Sequence, residues 1–200
     1  MLGGAVYGIY WIAMKNQGAS GVALSKPISP DEPSTGNQSG DVVLVEYSDF
    51  QCPACKAYYP VVQQLLKEHG DRVHLVYRHF PLPQHKNAKP AAYAATSAGA
   101  QGKFWEMHDM LFEHQEDWAD SNNAKTIFLG YAVSLGLNVA AFSAAFDNPN
   151  IATHVEEDFQ SGIVSQVTGT PTFFLNGKKI ESPSSYDEFT KLIPKGAAAN

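Results

Sequence analysis

The sequence predicts an α/β domain in which a βαβ unit is followed by a block of helices, a β-hairpin and a closing helix. Three observations predict it. First, residues 41–80 hold two continuous β-branched and aromatic runs, "DVVLVEYSDF" and "RVHLVYRHF", separated by a stretch with helical spacing. Second, the composition from Pro81 to about Val167 shifts to helix formers broken by short polar or glycine-containing gaps. Third, Asn176-Gly177 sits between two extended runs in "TPTFFLNGKKIES", a strong short-range hairpin signal.

Each element has its own warrant. The run at 41–50 is apolar without alternation, as in a strand buried on both faces of a sheet. The chain then turns into a helix at its two cysteines. Pro53 suits the first helical position, where its missing N–H has no intrahelical partner, and this makes Cys52 the N-cap. Helical spacing continues through Tyr59, Val62, Leu65 and Leu66 to Gly70, with a kink expected at Pro60. The second run, 72–80, is then a parallel strand reached by a right-handed crossover. "KPAAYAATSAGA", "KFWEMHDMLFEHQ", "AKTIFLGYAVSLG", "NVAAFSAAF" and "NIATHVEEDFQSGIVSQV" each read as one helix, and "SYDEFTKLI" as the last.

Residues 1–14 read as a partial membrane anchor or signal segment: "LGGAVYGIYWIAM" is uncharged but shorter than the roughly 20 apolar residues that span a bilayer. Residues 15–40, rich in Gly, Ser and Pro, read as a flexible linker. The domain itself is expected over 41–195, with the helical insertion at about 83–167 and a frayed tail at 196–200.

With 200 residues, 44% of them hydrophobic, the chain can bury one well-formed core. A net charge of −6 and scattered lysines exclude the basic field that nucleic acid requires. The only cysteines are Cys52 and Cys55, too few for a disulfide scaffold and too close to close a stabilising loop. The pair is a reactive couple or a metal clamp. A structural zinc would need four ligands of Cys or His type; no second C-x-x-C exists, and His69 and His74 lack finger spacing. A reactive couple is chemically coherent. The thiolate is the nucleophile, and at a helix N-cap Cys52 faces unpaired N–H groups and the positive end of the helix dipole. It is the expected exposed attacking sulfur, and Cys55, one turn inward, the shielded resolving one.

Glu46 lies inside the apolar run, where desolvation should raise its pKa and suit it to exchange a proton with Cys55. His79 and Phe80 end the second strand, on the edge where open α/β sheets place ligands, so either lines the site or simply packs there. Phe104, Trp105, His108, Leu111 and Phe112 have helical spacing and read first as core of the insertion, or in part as the wall of a peptide groove. Glu106, Asp109, Glu113 and Glu116 read as a solvated face.

The motifs "VEYSDFQCPAC", "YRHFPLPQHKNA", "GKFWEMHDMLFEHQ" and "GTPTFFLNGK", in this order, resemble the DsbA-like bacterial thiol-disulfide oxidoreductases, and the subgroup that includes membrane-tethered members. The resemblance covers residues 41–195 and implies a thioredoxin fold with a helical insertion. It implies a catalytic set of Cys52, Cys55 and Glu46, with Pro53 and Ala54 between the cysteines setting thiolate stability. It also implies that Thr170 precedes a cis-Pro171 and offers backbone groups to an extended substrate peptide. No cofactor is implied beyond the Cys52–Cys55 redox disulfide, and no metal. The implied partners are exported cysteine-containing proteins and a membrane-embedded thiol oxidase, DsbB-like or vitamin K epoxide reductase-like, with no nucleic acid. The implied place is the cell envelope, outside the cytoplasm. The direction of electron flow rests on Ala54: the strongest oxidants of this type have histidine there, and alanine supplies neither charge nor side-chain hydrogen bond. The expected activity is disulfide oxidation of exported proteins. A reductase or isomerase using the same couple, and a peptide-binding chaperone module without redox activity, are the alternatives.

Overall fold

The protein is described here by a computed structural model covering residues 19–193. Its sheet has six strands, β1 (Ala19–Ala23), β2 (Ser34–Gly36), β3 (Val42–Ser48), β4 (Val73–His79), β5 (Thr172–Leu175) and β6 (Lys178–Ile180), in the order β1-β6-β5-β3-β4-β2. β3 and β4 pair in parallel from Val42 opposite Val73 to Ser48 opposite His79. The crossover between them is helix α1 (Pro53–His69), which runs unbroken through Pro60. β5 lies antiparallel on the other side of β3, with Glu46 opposite Phe173. The β5–β6 hairpin turns at Asn176 and Gly177, both at positive φ, as a two-residue turn of primed type requires.

Alternation along the two central strands separates the faces. Leu44, Glu46 and Ser48 with Leu75, Tyr77 and His79 share one face; Val45 and Tyr47 with Val76, Arg78 and Phe80 share the other. Against the first face, Leu44, Val62, Leu65, Leu75, Phe173 and Phe189 form a core with α1 and the last helix. The helices between β4 and β5 are α2 (Ala88–Gly99), α3 (Phe104–Glu113), α4 (Gln115–Trp118), α5 (Ala124–Ser134), α6 (Val139–Phe146) and α7 (Pro149–Val164), and α8 (Tyr186–Leu192) closes the fold. A second core, built from the alanines of α2 with Phe50, Phe104, Met107, Phe112, Trp118 and Phe128, welds this insertion to the cysteine segment. α7 covers the opposite face. It approaches so closely at Gly162 that a Cβ there would stand 2.5 Å from the Phe80 ring.

Two expectations need correction. Residues 19–40 carry the two edge strands of the sheet rather than forming a linker: β1 pairs with β6 and β2 with β4. The physical reason is a buried ion pair. The Arg78 guanidinium, on β4, donates through Nε to Glu32 at 2.9 Å and through Nη2 to the Lys26 and Pro27 carbonyls. Lys26 reaches Asp158 of α7 at 3.3 Å. These non-local partners fix a segment whose composition alone would leave it loose. The second correction is the break at His114, which ends α3 and starts α4 where one helix was expected. There Gln115 turns inward to bond the cysteine segment, and Trp118 Nε1 donates to the Leu111 carbonyl at 3.0 Å. The anchor expected over 1–14 and the tail at 196–200 lie outside the described residues. Among the described residues, no helix is long and apolar enough to cross a membrane.

Candidate active site

The cysteines stand where β3 hands over to α1. Cys52 is the N-cap with an extended backbone (φ −71°, ψ 123°), Pro53 follows at N1, and the Cys52 carbonyl accepts the Lys56 N–H at 3.1 Å. The sulfur thus meets the free N–H groups of the first turn. Both cysteines are unbridged. Cys52 retains 7% exposure against 1% for Cys55, so it is better covered than expected of an attacking sulfur yet is the more accessible of the two.

The Cys52 sulfhydryl lies 3.4 Å from the Thr170 carbonyl, and the Thr170–Pro171 bond is cis. A thiolate at Cys52 is favoured. The Cys55 thiol donates to it, the buried Thr170 hydroxyl has no other partner, and the N–H groups of Cys55 and Ala54 point at it. Together they outweigh burial and bring its pKa from 9.0 to about 5. Burial pushes the Cys55 thiol well above its ordinary range, with the neighbouring Cys52 and Glu46 charges acting in the same direction. Two sulfurs one turn apart are therefore divided into a thiolate and a thiol. Ala54 contributes its backbone alone, its side chain being exposed.

Glu46 is buried on the sheet face beneath α1, and burial, opposed by the Ser48 hydroxyl, raises its pKa from 4.5 to about 7. That is the value a proton donor and acceptor at neutral pH needs. His79 and Phe80 go elsewhere. His79 packs among Phe50, Tyr77 and Phe104 and bonds the Thr96 hydroxyl at 3.0 Å; burial drops its pKa to about 3. Phe80 stacks on Phe159 across the other sheet face. Of the two readings their position at the strand end left open, the packing one describes their contacts: β4's alternation and the insertion take both side chains into the core. Phe104, Leu111 and Phe112 are core, Trp105 packs half-buried against it and His108 is buried among its rings, as their first reading had it. The acids on α3 and α4 are paired: Glu106 with Lys103, Asp109 with His108 and Gln63, Glu113 with Tyr59, Glu116 with Lys56. Among the described residues there is no cluster of His, Cys, Asp or Glu able to hold a metal ion.

Four polar side chains that sequence reasoning missed hold the cysteine segment. Asp49 accepts from the Gln51 and Leu82 N–H groups at 2.8 and 2.9 Å and meets His85 Nδ1 at 2.6 Å, while its own N–H approaches Cys55 Sγ at 3.5 Å. Gln115 donates to the carbonyls of Phe50 (2.6 Å) and Cys52 (3.2 Å). Gln51 and Asn87 bond each other and share the Ala119 carbonyl. The polar residues beside the cysteines in "SDFQC" and the amides in "PQHKNA" were the available signal. Gln115 had none, because its partners lie more than sixty residues away.

A family model described as thioredoxin matches residues 29–195. The chain belongs to the thioredoxin family. Among solved structures it is similar to BdbD of Bacillus subtilis, with 25% identity, a TM-score of 0.73, and coverage of 85% of this chain and 95% of that one. It is similar as well to a thioredoxin-like oxidoreductase of Silicibacter pomeroyi, at 27% identity, TM-score 0.69, and coverage of 82% and 90%. The α-DsbA1 of Wolbachia pipientis, at 21% identity and TM-score 0.73 over 84% and 91% of the two chains, shares the fold. The expected DsbA-like thioredoxin fold is therefore the observed one. Curated relatives of similar sequence are Na(+)/H(+) antiporters NhaA from Salinispora arenicola (39% identity over 79% of this chain) and Salinispora tropica (34% over 89%). The chain spans about a quarter of the length of these relatives, 24% and 27%.

Proposed function

We propose that this thioredoxin-family chain is an extracytoplasmic protein thiol-disulfide oxidoreductase that acts as a disulfide oxidase on exported proteins. The observation that carries it is the division of the two cysteines: an N-capped, thiolate-favouring Cys52 beside Thr170 and cis-Pro171, and a buried thiol at Cys55. In the oxidised protein a substrate thiolate attacks Cys52 Sγ; the Cys52–Cys55 bond breaks and its electron pair leaves on Cys55, which takes up a proton. A second substrate thiolate then attacks the substrate sulfur of the mixed disulfide. The substrate departs as a disulfide, and Cys52 leaves as a thiolate. Because the reduced form is stabilised by that thiolate, electrons flow from substrate to protein. A membrane-embedded thiol oxidase, DsbB-like or vitamin K epoxide reductase-like, returns the pair to the disulfide. Residues 1–14 serve in this reading as an anchor or signal. The transport named for the antiporter relatives is not part of it.

The deciding measurement is the Cys52/Cys55 reduction potential, equilibrated against glutathione. A value above about −180 mV is expected, and one near about −270 mV, the thioredoxin range, makes the protein a reductant instead. Cys52→Ser abolishes exchange in either direction; a protein that works unchanged with that substitution is a binding module.

A further inference from the structure

Between α1 and α3, Glu46 lines a cavity of about 10 Å³, the size that admits about one water molecule. His108 lines it too, with Tyr59, Gln63 and Trp105. The chemistry of Cys55 requires a proton to be moved. Cys55 gains a proton each time the disulfide is broken and loses one each time it is remade, and both Cys55 and Glu46 are buried. The cavity leads from Glu46 toward the imidazole, whose Nδ1 lies 2.9 Å from Asp109 Oδ1. Asp109 also accepts from Gln63 of α1 at 3.0 Å and keeps 39% of its side chain in solvent, against 7% for His108.

We propose that His108, through the cavity it shares with Glu46 and its contact with Asp109, is the positioning residue that passes protons between Glu46 and solvent during thiol-disulfide exchange. This rests on the exchange reading above. When the disulfide breaks, Cys55 Sγ takes the proton of the Glu46 carboxyl. Glu46 regains one from His108 Nε2–H across the cavity, while Nδ1 accepts the replacement from the Asp109 carboxyl, which has taken that proton from solvent. The imidazole is left as the Nδ1–H tautomer. Reoxidation by the disulfide of a thiol oxidase reverses each transfer: Cys55 gives its proton to the Glu46 carboxylate, Nε2 accepts from Glu46, and Nδ1–H releases to Asp109. The ring tautomer therefore alternates with the redox state, and the ring never needs to hold two protons. That suits an imidazole whose burial disfavours the cation.

The groups facing this path are Cys55 and Tyr59 from α1, Tyr77 and His79 from β4, Asp49 from the loop before α1, and Asp109 and Glu113 from α3 itself. Burial drives Tyr59 and Tyr77 upward and His79 down to about 3. Burial raises Glu46 to about 7, in the neutral range.

The test is the rate of exchange of the full chain with dithiothreitol in both directions, from about pH 5 to 9, for the parent, His108→Gln, Glu46→Gln and the double variant. His108→Gln is expected to slow the steps that move the Cys55 proton about tenfold and to remove the inflection that Glu46 gives the profile. In the Glu46→Gln background it should add nothing, because the two act in series; independent structural damage would instead add. Nitrogen NMR of the parent imidazole should show one tautomer in the oxidised protein and the other in the reduced. Profiles of parent and His108→Gln that superimpose, or additive losses, overturn the relay. Should His108→Gln fail to fold, Asp109→Asn leaves the imidazole in place and must give the same flattening. A parent that exchanges no disulfide at all overturns the exchange reading and the relay with it; a reactive parent with an unaltered variant overturns the relay alone.

Discussion

At the scale of single residues, the candidate site carries a carboxyl shielded from bulk solvent. Glu46 occupies a position on β3 whose neighbours Leu44 and Val45 are fully buried, and the folded chain therefore holds its proton up to about pH 7, where the unfolded chain releases it near 4.5. The sign follows. Below about pH 4.5 both states are protonated and stability does not vary with the residue's charge; between about 4.5 and 7 the unfolded chain ionises while the fold keeps its proton, so stability falls at about 1.4 kcal/mol per pH unit, by about 3 kcal/mol in all, and levels off once the fold ionises. Glu46→Gln should accordingly raise the denaturation free energy by about 3 kcal/mol at about pH 8 and leave it nearly unchanged at about pH 4, as urea titrations at the two pH values would show. In the proposed relay the same substitution takes away the group assigned to exchange the Cys55 proton, and exchange is expected to slow at least about tenfold. Stability gained and activity lost together mark a residue kept for chemistry. This much was legible in the sequence, because a lone acid in an apolar strand and a proline after a cysteine are local signals.

At the scale of elements, legibility stops where a segment draws its structure from distant partners. β1 and β2 are short, polar and glycine-containing, and nothing in 15–40 shows that Glu32 will meet Arg78 on β4. The break between α3 and α4 is hidden likewise, since Gln115 reads as an ordinary helical residue until its carbonyl partners at Phe50 and Cys52 are in place. The hairpin at Asn176-Gly177 was legible because its turn chemistry is contained in two residues. The ion pair gives the edge segment a definite weakness. Glu32→Ala strands a guanidinium that is fully buried, although Tyr47, Lys26 and Pro27 still accept from it. Removing one partner of a buried pair costs about 3 kcal/mol. The expected result is a loss of that size in chemical denaturation, with new proteolytic cleavage within 24–36 and an unshifted Cys52 thiolate titration. A variant equally resistant to protease would show that strand pairing alone holds the segment.

For the whole molecule, the cysteine pair links redox state to the stability of the fold, and two opposing effects separate by their pH dependence. The disulfide closes a very short loop, restricting the unfolded chain by a small amount that does not vary with pH. The thiolate does the reverse: Cys52 has its pKa lowered to about 5 in the fold and 9.0 without it, so reduction stabilises the folded form by an amount that is absent below about pH 5, grows with each pH unit above it and levels off near 9. The thermal midpoint of the reduced chain should therefore rise relative to that of the oxidised chain as pH increases from about 5 to 9, and the gap should be flat below about 5. Substituting Thr170→Val removes the hydroxyl beside the Cys52 sulfur, so the onset of this rise should move to higher pH while the short-loop contribution stays constant. Scanning calorimetry of both redox forms measures it directly, and a gap independent of pH would mean that Cys52 is no thiolate in the fold. The same slope enters the reduction potential, because each increment of stability that the fold gains on reduction raises that potential.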